Sequence, residues 1–110
     1  MTKLRRPSEF ASVFANSSSL RGQTIELRVL RTERSTPRLG LVMAKRYAKN
    51  AVLRNLLKRL AREAFRKALP VLPSVDLVCR LVKKPLISST RVFKQHCRHE
   101  MDGLFARVRP

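Results

Sequence analysis

The chain has 110 residues, with 25 Lys and Arg side chains against 7 Asp and Glu, so it carries a formal charge of +18 at pH 7. This length predicts a single domain, residues 1–110, and a hydrophobic content of 44% excludes a wholly disordered basic tail. No apolar run reaches the ~18 residues of a membrane span, and the N-terminus lacks the apolar segment of a signal peptide. We therefore expect a cytoplasmic protein with no membrane partner.

The pattern of apolar residues predicts three helices and three strands in a small α/β sandwich, of order α-β-β-α-β-α. In chain order, these are a helix at 8–15 capped by Ser8, a polar loop at 16–22, strands at 24–31 and 39–44, a basic loop at 45–50, a helix at 51–69, a strand at 75–82 and a last helix capped by Ser88, Ser89 or Thr90. Gly40 marks a bulge or a close approach. Arg80 is the only basic residue of the largely apolar strand at 75–82, which predicts a central position in the sheet.

The positive charge is concentrated in residues 38–69, which hold ten basic side chains and one acid. Arginine outnumbers lysine 17 to 8 over the whole chain, and the planar guanidinium matches the oxygens of a phosphate. The helix at 51–69 buries one apolar face, and its opposite arc carries a polar stripe: Arg54, Asn55, Lys58, Arg59, Arg62 and Arg66. Like charges one turn apart repel, so this face predicts a polyanionic partner, most simply a nucleic acid.

No catalytic constellation is evident in the sequence. The seven acids form no pair suited to acid–base or metal chemistry, and Glu63 stands one turn from both Arg59 and Lys67, where ion pairing within the helix is the simple interpretation. Cys79 and Cys97 lack the spacing of a zinc site with His96 and His99, so we expect two buried thiols and no metal bound by the protein. Glycine-rich phosphate loops are missing, and no small-molecule substrate is expected.

Phe10 and Phe14 lie one turn apart on the first predicted helix, and two interpretations stay open. Such pairs often belong to a hydrophobic core. Alternatively, aromatic rings beside basic groups form a platform on which unpaired bases stack without sequence preference.

The segment Ala51–Arg66, AVLRNLLKRLAREAFR, resembles the most characteristic helix of the bacterial ribonuclease P protein subunits, whose pattern is roughly R-N-R-x-K-R-x-x-R-E-x-F-R. The matching positions are Arg54, Asn55, Lys58, Arg59, Arg62, Glu63, Phe65 and Arg66. Leu56 departs from the pattern, because the family usually has an arginine there; it lies at the border of the apolar arc and can join the core. RRPSEFASVF and RLGLVMAKR resemble the family's first helix and its strand with basic loop, so the resemblance covers nearly the whole chain.

The resemblance implies an α+β fold with four strands, order α-β-β-(β)-α-β-α, and a left-handed crossover around the basic helix. It implies that an RNA subunit, with bound Mg²⁺, removes the 5′ leader of precursor tRNA, while the protein has no catalytic residue of its own. Phe10 and Phe14 would face the single-stranded leader. The catalytic RNA and the substrate would be contacted from the basic helix and the preceding loop: Arg54, Asn55, Lys58, Arg59, Arg62, Arg66, Lys45, Arg46 and Lys49.

Three other functions are considered. A ribosomal or general structural RNA-binding protein would share the basic surface and bind without processing. A self-sufficient nuclease would depend on an acid such as Glu63 or Asp76, and the acids are unpaired. A DNA reader would need side chains aimed at base edges, yet the basic helix offers only Asn55 in that role.

Overall fold

A computed structural model describes residues 3–86 and 89–108 of the chain. Its elements, in chain order, are α1 (Pro7–Asn16), β1 (Ser18–Arg21), β2 (Ile25–Arg31), β3 (Arg38–Val42), α2 (Ala51–Ala68), a short 3-10 helix (Leu69–Val71), β4 (Val75–Leu81) and α3 (Thr90–Ala106). Three helices and a four-stranded mixed sheet confirm the fold class, and the order of elements is the four-stranded one that the resemblance implies.

The sheet has the strand order β1-β2-β4-β3. β4 pairs antiparallel with β2 on one side and parallel with β3 on the other, so its predicted central position is confirmed. Because β3 and β4 are parallel and consecutive in the sheet, the chain must cross over between them, and α2 forms this connection. The left hand of that crossover, implied by the resemblance, stays a prediction.

The predicted loop at 16–22 is wrong, because it contains the fourth strand. β1 pairs antiparallel with β2, with Ser18 opposite Val29 and Arg21 opposite Glu26. Its sequence, SSLR, has only one apolar residue, Leu20, which packs against the main core. A four-residue edge strand needs only one hydrogen-bonded neighbour and only one buried side chain, and so carries almost no apolar alternation.

The first helix begins one residue before the predicted cap. Ser8 is not the cap, because Pro7 already lies in the first turn and Arg6 occupies the N-cap position. Proline suits the first turn, where its fixed φ is helical and no N–H donor is needed. The carboxylate of Glu9, at position N3, accepts hydrogen bonds from the backbone N–H groups of Arg5 and Arg6, both at 2.9 Å, and so fixes the start of the helix as the acidic half of a capping box does.

The two faces of the sheet are covered unequally. α2 and α3 pack on one face over the main hydrophobic core, to which β2 contributes Ile25 and Leu27, both fully buried. α1 covers part of the other face with a smaller cluster built on Leu4, Val13 and Val78. The alternation predicted for β2 is confirmed, since Ile25, Leu27 and Val29 face the main core, while Leu30 packs against the smaller cluster on the α1 side.

The last helix begins at Thr90, and the side chain of Ser89 caps it by accepting a hydrogen bond from the backbone N–H of Val92. Ser88, the other serine considered as a cap, lies outside the described residues. The predicted stripe Phe93, Cys97 and Met101 is buried against α2 and the sheet. Of the helices that the structure describes, none is both long and apolar enough to cross a membrane.

Candidate nucleic-acid interface

A cleft of about 400 Å³ lies between α1, the edge strand β3 and α2. Its floor is apolar and comes from Leu4, Phe10, Leu39 and Phe65, while its rim carries cations. The basic residues at the cleft are Lys3, Lys58, Arg62 and Arg66. An apolar floor below a cationic rim is the combination that accepts a base and its phosphate together.

Gly40 creates the room for the ring of Phe10 in this cleft. A Cβ atom at this position would lie 2.5 Å from Cε1 and 2.7 Å from Cζ of Phe10, well inside van der Waals contact. The two predictions for Gly40 are thereby resolved in favour of the close approach. Phe10 is half-buried: its ring packs beside Leu4 and also lines the cleft, so the core and platform interpretations both stay open.

The geometry of α2 divides its basic residues into two rows. Lys58 and Arg62 point towards the cleft, and among the described residues no carboxylate forms an ion pair with either. Arg59 and Lys67 lie on the α3 side, where Arg59 reaches Glu63 at 4.0 Å and Lys67 reaches Asp102 at 2.8 Å. The prediction that Glu63 pairs with Arg59 is confirmed, whereas its predicted partner Lys67 contacts α3 instead.

Arg54 anchors the loop before α2. Its Nη1 donates to the carbonyl oxygens of Ala48 and Lys49, both at 2.8 Å. Asn50 caps the helix by accepting a hydrogen bond from the N–H of Val52. Arg54 therefore shapes the loop from within, at the junction between β3 and α2.

The remaining predicted residues lie in the loop before α2 and on α2 itself. The basic loop residues Lys45, Arg46 and Lys49 are exposed, and the guanidinium of Arg46 lies 4.8 Å from the ring centroid of Tyr47. Asn55 is exposed on the outer arc of α2. Leu56, where the family pattern has arginine, packs against the main core, as its border position in the helix suggested.

Phe14 has a different environment from Phe10. It lies one turn further along α1, does not line the cleft, and faces the guanidinium of Arg80, whose central carbon is 5.0 Å from the ring centroid. Arg80 in turn donates from Nε to Glu26 at 2.6 Å. The prediction therefore missed a partner of Phe14, and the sequence signal for it was the single arginine inside a largely apolar strand.

Glu26 and Asp76 are the buried acids of the sheet, 3% and 4% exposed. Burial opposes ionisation of Glu26, but hydrogen bonds from Ser19 and Arg80 outweigh it and hold the pKa of Glu26 below its usual range. Asp76 accepts two hydrogen bonds from Arg38, at 2.9 and 2.8 Å, and one from Arg34 at 3.2 Å. Both carboxylates serve as counter-ions for arginines on the α1 side of the sheet.

Glu9 and Glu100 are also engaged away from the cleft. Glu9 pairs with Arg38, and hydrogen bonds from the backbone of Arg6 and Arg5 and from Arg38 lower the pKa of Glu9 to about 2. Glu100 accepts three hydrogen bonds from Thr24 and Ile25, which fastens α3 to the start of β2. No carboxylate among residues 3–86 and 89–108 lines the cleft, so its positive charge is uncompensated there.

The described residues form no site for a metal ion. No group of three or more His, Cys, Asp or Glu side chains with suitable geometry occurs within 3–86 and 89–108. Cys79 and Cys97 lie in the hydrophobic core, where burial raises the pKa of Cys79 to about 12 and that of Cys97 to about 11. His96 and His99 are exposed.

Comparisons with known proteins agree with the resemblance seen in the sequence. The family model Ribonuclease P matches residues 1–109. The ribonuclease P protein component of Bordetella petrii is 43% identical over 116 residues, covering 98% of this chain and 92% of the relative. That of Bordetella parapertussis is 40% identical over 111 residues, covering 96% and 90%.

Solved structures show the same fold at lower identity. The ribonuclease P protein of Staphylococcus aureus matches with a TM-score of 0.83 and 18% identity, covering 100% of this chain and 99% of that one. The protein of Thermotoga maritima matches with a TM-score of 0.77 and 23% identity, covering both chains fully. A family model that spans nearly every residue and two relatives at 40% identity or above lead to one conclusion: the chain belongs to the ribonuclease P protein family.

Proposed function

We propose that this chain is the protein subunit of a cytoplasmic ribonuclease P ribonucleoprotein, in which an RNA subunit with bound Mg²⁺ removes the 5′ leader of precursor tRNA. The observation that carries the proposal is the cleft between α1, β3 and α2, where Lys58, Arg62 and Arg66 have no acidic partner among the described residues. Membership of the family supplies the identity of the RNA partner.

Within this proposal the cleft holds single-stranded leader. A flexible strand can place a base against Phe10 while its phosphates meet the cations of the rim, and such contacts need no particular sequence. A leader must differ between one precursor and the next, so sequence-tolerant binding suits this substrate.

The outer arc of α2 and the loop before it contact the RNA subunit and the substrate near the cleavage site. Asn55, Arg59 and the loop cations Lys45, Arg46 and Lys49 are exposed and adjoin the same end of α2. Arg54 contributes by holding the loop through its two hydrogen bonds to backbone carbonyls. The whole chain, residues 1–110, acts as one RNA-binding domain.

Two observations weigh against a nuclease that acts alone. Glu63 and Asp76, the acids considered for that role, are tied to Arg59 and Arg98 and to Arg34 and Arg38 respectively. Neither lines the cleft. The protein therefore contributes binding and orientation, and the RNA contributes the chemistry.

The test combines the purified protein with a bacterial ribonuclease P RNA and a precursor tRNA at low Mg²⁺ concentration, where the RNA alone is slow. We expect cleavage at the mature 5′ end that requires both components. Cleavage by the protein alone would support the nuclease instead. Tight RNA binding without any stimulation of cleavage would support a structural RNA-binding protein.

A further inference from the structure

Arg80 presents a fixed guanidinium at the surface on the α1 side of the sheet. Arg80 stands directly opposite Glu26 on β2, and its Nε donates to that buried carboxylate at 2.6 Å. The ring of Phe14 flanks the guanidinium at 5.0 Å. The carboxylate fixes one edge of the guanidinium and the ring fixes its lateral position, so this arginine loses little further freedom on binding a ligand.

The support for Arg80 extends beyond its two immediate partners. Glu26 also accepts a hydrogen bond from the hydroxyl of Ser19 at 2.6 Å. Arg28 donates to the hydroxyl of Ser17 at 2.9 Å and to the carbonyl of Phe14 at 3.1 Å, and this attaches the end of α1 to the sheet. The ring and the carboxylate are therefore held in place by separate contacts.

The donors of Arg80 are only partly used. Its side chain is 35% exposed, and its only hydrogen bond to the described residues runs through Nε. Both Nη groups therefore remain available for an acceptor outside this part of the chain. Two parallel N–H donors in one plane match the paired oxygens of a phosphate.

The surroundings favour an anion over a neutral group. Arg28 lies 3.6 Å from Glu26, so two arginines pair with this carboxylate, and a third, Arg21, stands opposite it on β1. The residue Phe14 also lies one turn from Phe10, which lines the cleft. A strand that leaves the cleft along α1 would next reach the pair formed by Phe14 and Arg80.

The geometry points to Arg80 as a phosphate-binding residue for single-stranded RNA, whose two Nη groups grip one phosphate of the leader while Phe14 and Glu26 hold the guanidinium in place. This assignment rests on the proposed function. It also alters the role of Phe14, because the ring that was expected to stack on a base supports the arginine instead.

The experiment uses the reconstituted complex of the protein with a bacterial ribonuclease P RNA and two precursor tRNAs, one with a leader of several nucleotides and one with a single leader nucleotide. The test variant is Arg80→Gln, whose amide can still donate to Glu26 and so preserves the fold. The matched control is Arg98→Ala, another half-exposed arginine with one glutamate partner, at 3.7 Å, on the α3 side.

We expect Arg80→Gln to weaken binding of the long-leader substrate by roughly five- to eightfold at 0.1 M salt, as the loss of one phosphate contact on a single strand predicts. Binding of the single-nucleotide leader and the behaviour of Arg98→Ala should stay at the wild-type level. Arg80→Lys should recover only part of the loss, because an ammonium keeps the charge without the fork.

A second measurement identifies the phosphate. Leaders that each carry one neutral methylphosphonate should weaken binding to the wild-type protein at one position to which Arg80→Gln is insensitive, because that contact is already lost. Equal losses for both proteins at every position would overturn the assignment, as would a loss that depends on a guanine base. A wild-type complex with no preference for the longer leader would instead contradict the proposed function itself.

Discussion

The base of α1 and the cleft side of α2 both contain basic residues. Those at the base of α1 are paired with carboxylates of the fold, whereas those on the cleft side of α2 have no such partner among the described residues. At the base of α1, Arg38 is held between Asp76 and Glu9, and its side chain is only 13% exposed. On the cleft side of α2, Lys58 and Arg62 line an open cavity, and none of the described carboxylates lines it with them. One region neutralises its cations inside the fold, and the other leaves them for a partner.

This difference shows where a net charge of +18 can act. Buried cations need internal counter-ions, since a charge removed from water without a partner is strongly destabilising. Exposed cations need none, and their mutual repulsion is relieved when a polyanion binds. Removal of a charge should therefore affect stability in the first region and RNA affinity in the second.

The largest effect is expected at the base of α1. Asp76→Ala removes the carboxylate that receives three hydrogen bonds from Arg34 and Arg38. We expect the free energy of unfolding to fall by about 3 kcal/mol, the lower end of the usual range for breaking a buried ion pair, because Glu9 still faces Arg38. Urea denaturation measures this loss. An unchanged free energy of unfolding, together with a lower RNA affinity of the folded variant, would contradict the assignment of Asp76 to stability.

The next largest effect is expected on the cleft side of α2, where Lys58→Ala combined with Arg62→Ala should lower RNA affinity rather than stability. Loss of two phosphate contacts should lower affinity for a long-leader precursor by roughly 25- to 60-fold at 0.1 M salt and reduce the salt slope by about 1.4–1.8. Binding titrations at several salt concentrations measure both. The control, Lys67→Ala with Arg98→Ala, removes the same charge from the α3 side, where both cations have acidic partners, and should cost less than about threefold. An affinity loss with an unchanged slope would refute the phosphate contacts.

A smaller effect is expected where the two regions meet, at the contact between Phe10 and Gly40. Gly40→Ala forces the ring of Phe10 out of place, and we expect a loss of about 1–2 kcal/mol in stability together with weaker leader binding. The matched control is Gly103→Ala in α3, where a Cβ meets nothing within 4 Å; it should gain about 0.5–1 kcal/mol from helix propensity. Thermal unfolding compares the two variants, and stabilisation by both would show that Gly40 does not closely contact Phe10.

The smallest effect concerns the pH dependence at the base of α1. Since the pKa of Glu9 is lowered to about 2, its ionised form stabilises the fold fully above the usual value near 4.5, and that contribution disappears as the pH falls towards 2. Glu9→Gln should therefore be less stable than the wild type at neutral pH, and the two melting temperatures should converge over that acidic window. Parallel melting curves with a constant gap from pH 7 to pH 2.5 would show that Glu9 is not ionised in an ion pair.

Much of the fold was predictable from the sequence because buried apolar residues recur with the period of the strand or helix that contains them. Ile25, Leu27 and Val29 alternate as a half-buried strand requires, and Phe93, Cys97 and Met101 repeat at helical spacing. The exposed β1 has no such apolar repeat, so it was predicted as a loop. Ser8 was predicted as the cap of α1 because serine is a common N-cap, whereas Pro7 and the carboxylate of Glu9 fix the start of the helix one residue earlier.

The candidate site was predictable only in part, for a related reason. Spacing alone showed that α2 has a basic arc, and the family pattern named its residues. Spacing could not show that Arg59 faces α3 while Lys58 faces the cleft, since both lie on the solvent side of an isolated helix. Likewise, the pairing of Arg80 with Glu26 joins residues 54 positions apart and depends on the register between β4 and β2.

The sequence by itself determined the basic character of the protein, the apolar faces of its main elements, its lack of an evident catalytic constellation and its resemblance to one family. These properties follow from residue type and local period, which the chain carries whether or not it is folded. Only the tertiary structure decided which cations are neutralised and which are left free, because an ion pair depends on the distance between side chains that distant segments bring together. That selection separates the neutralised arginines at the base of α1 from the open cationic cleft beside α2.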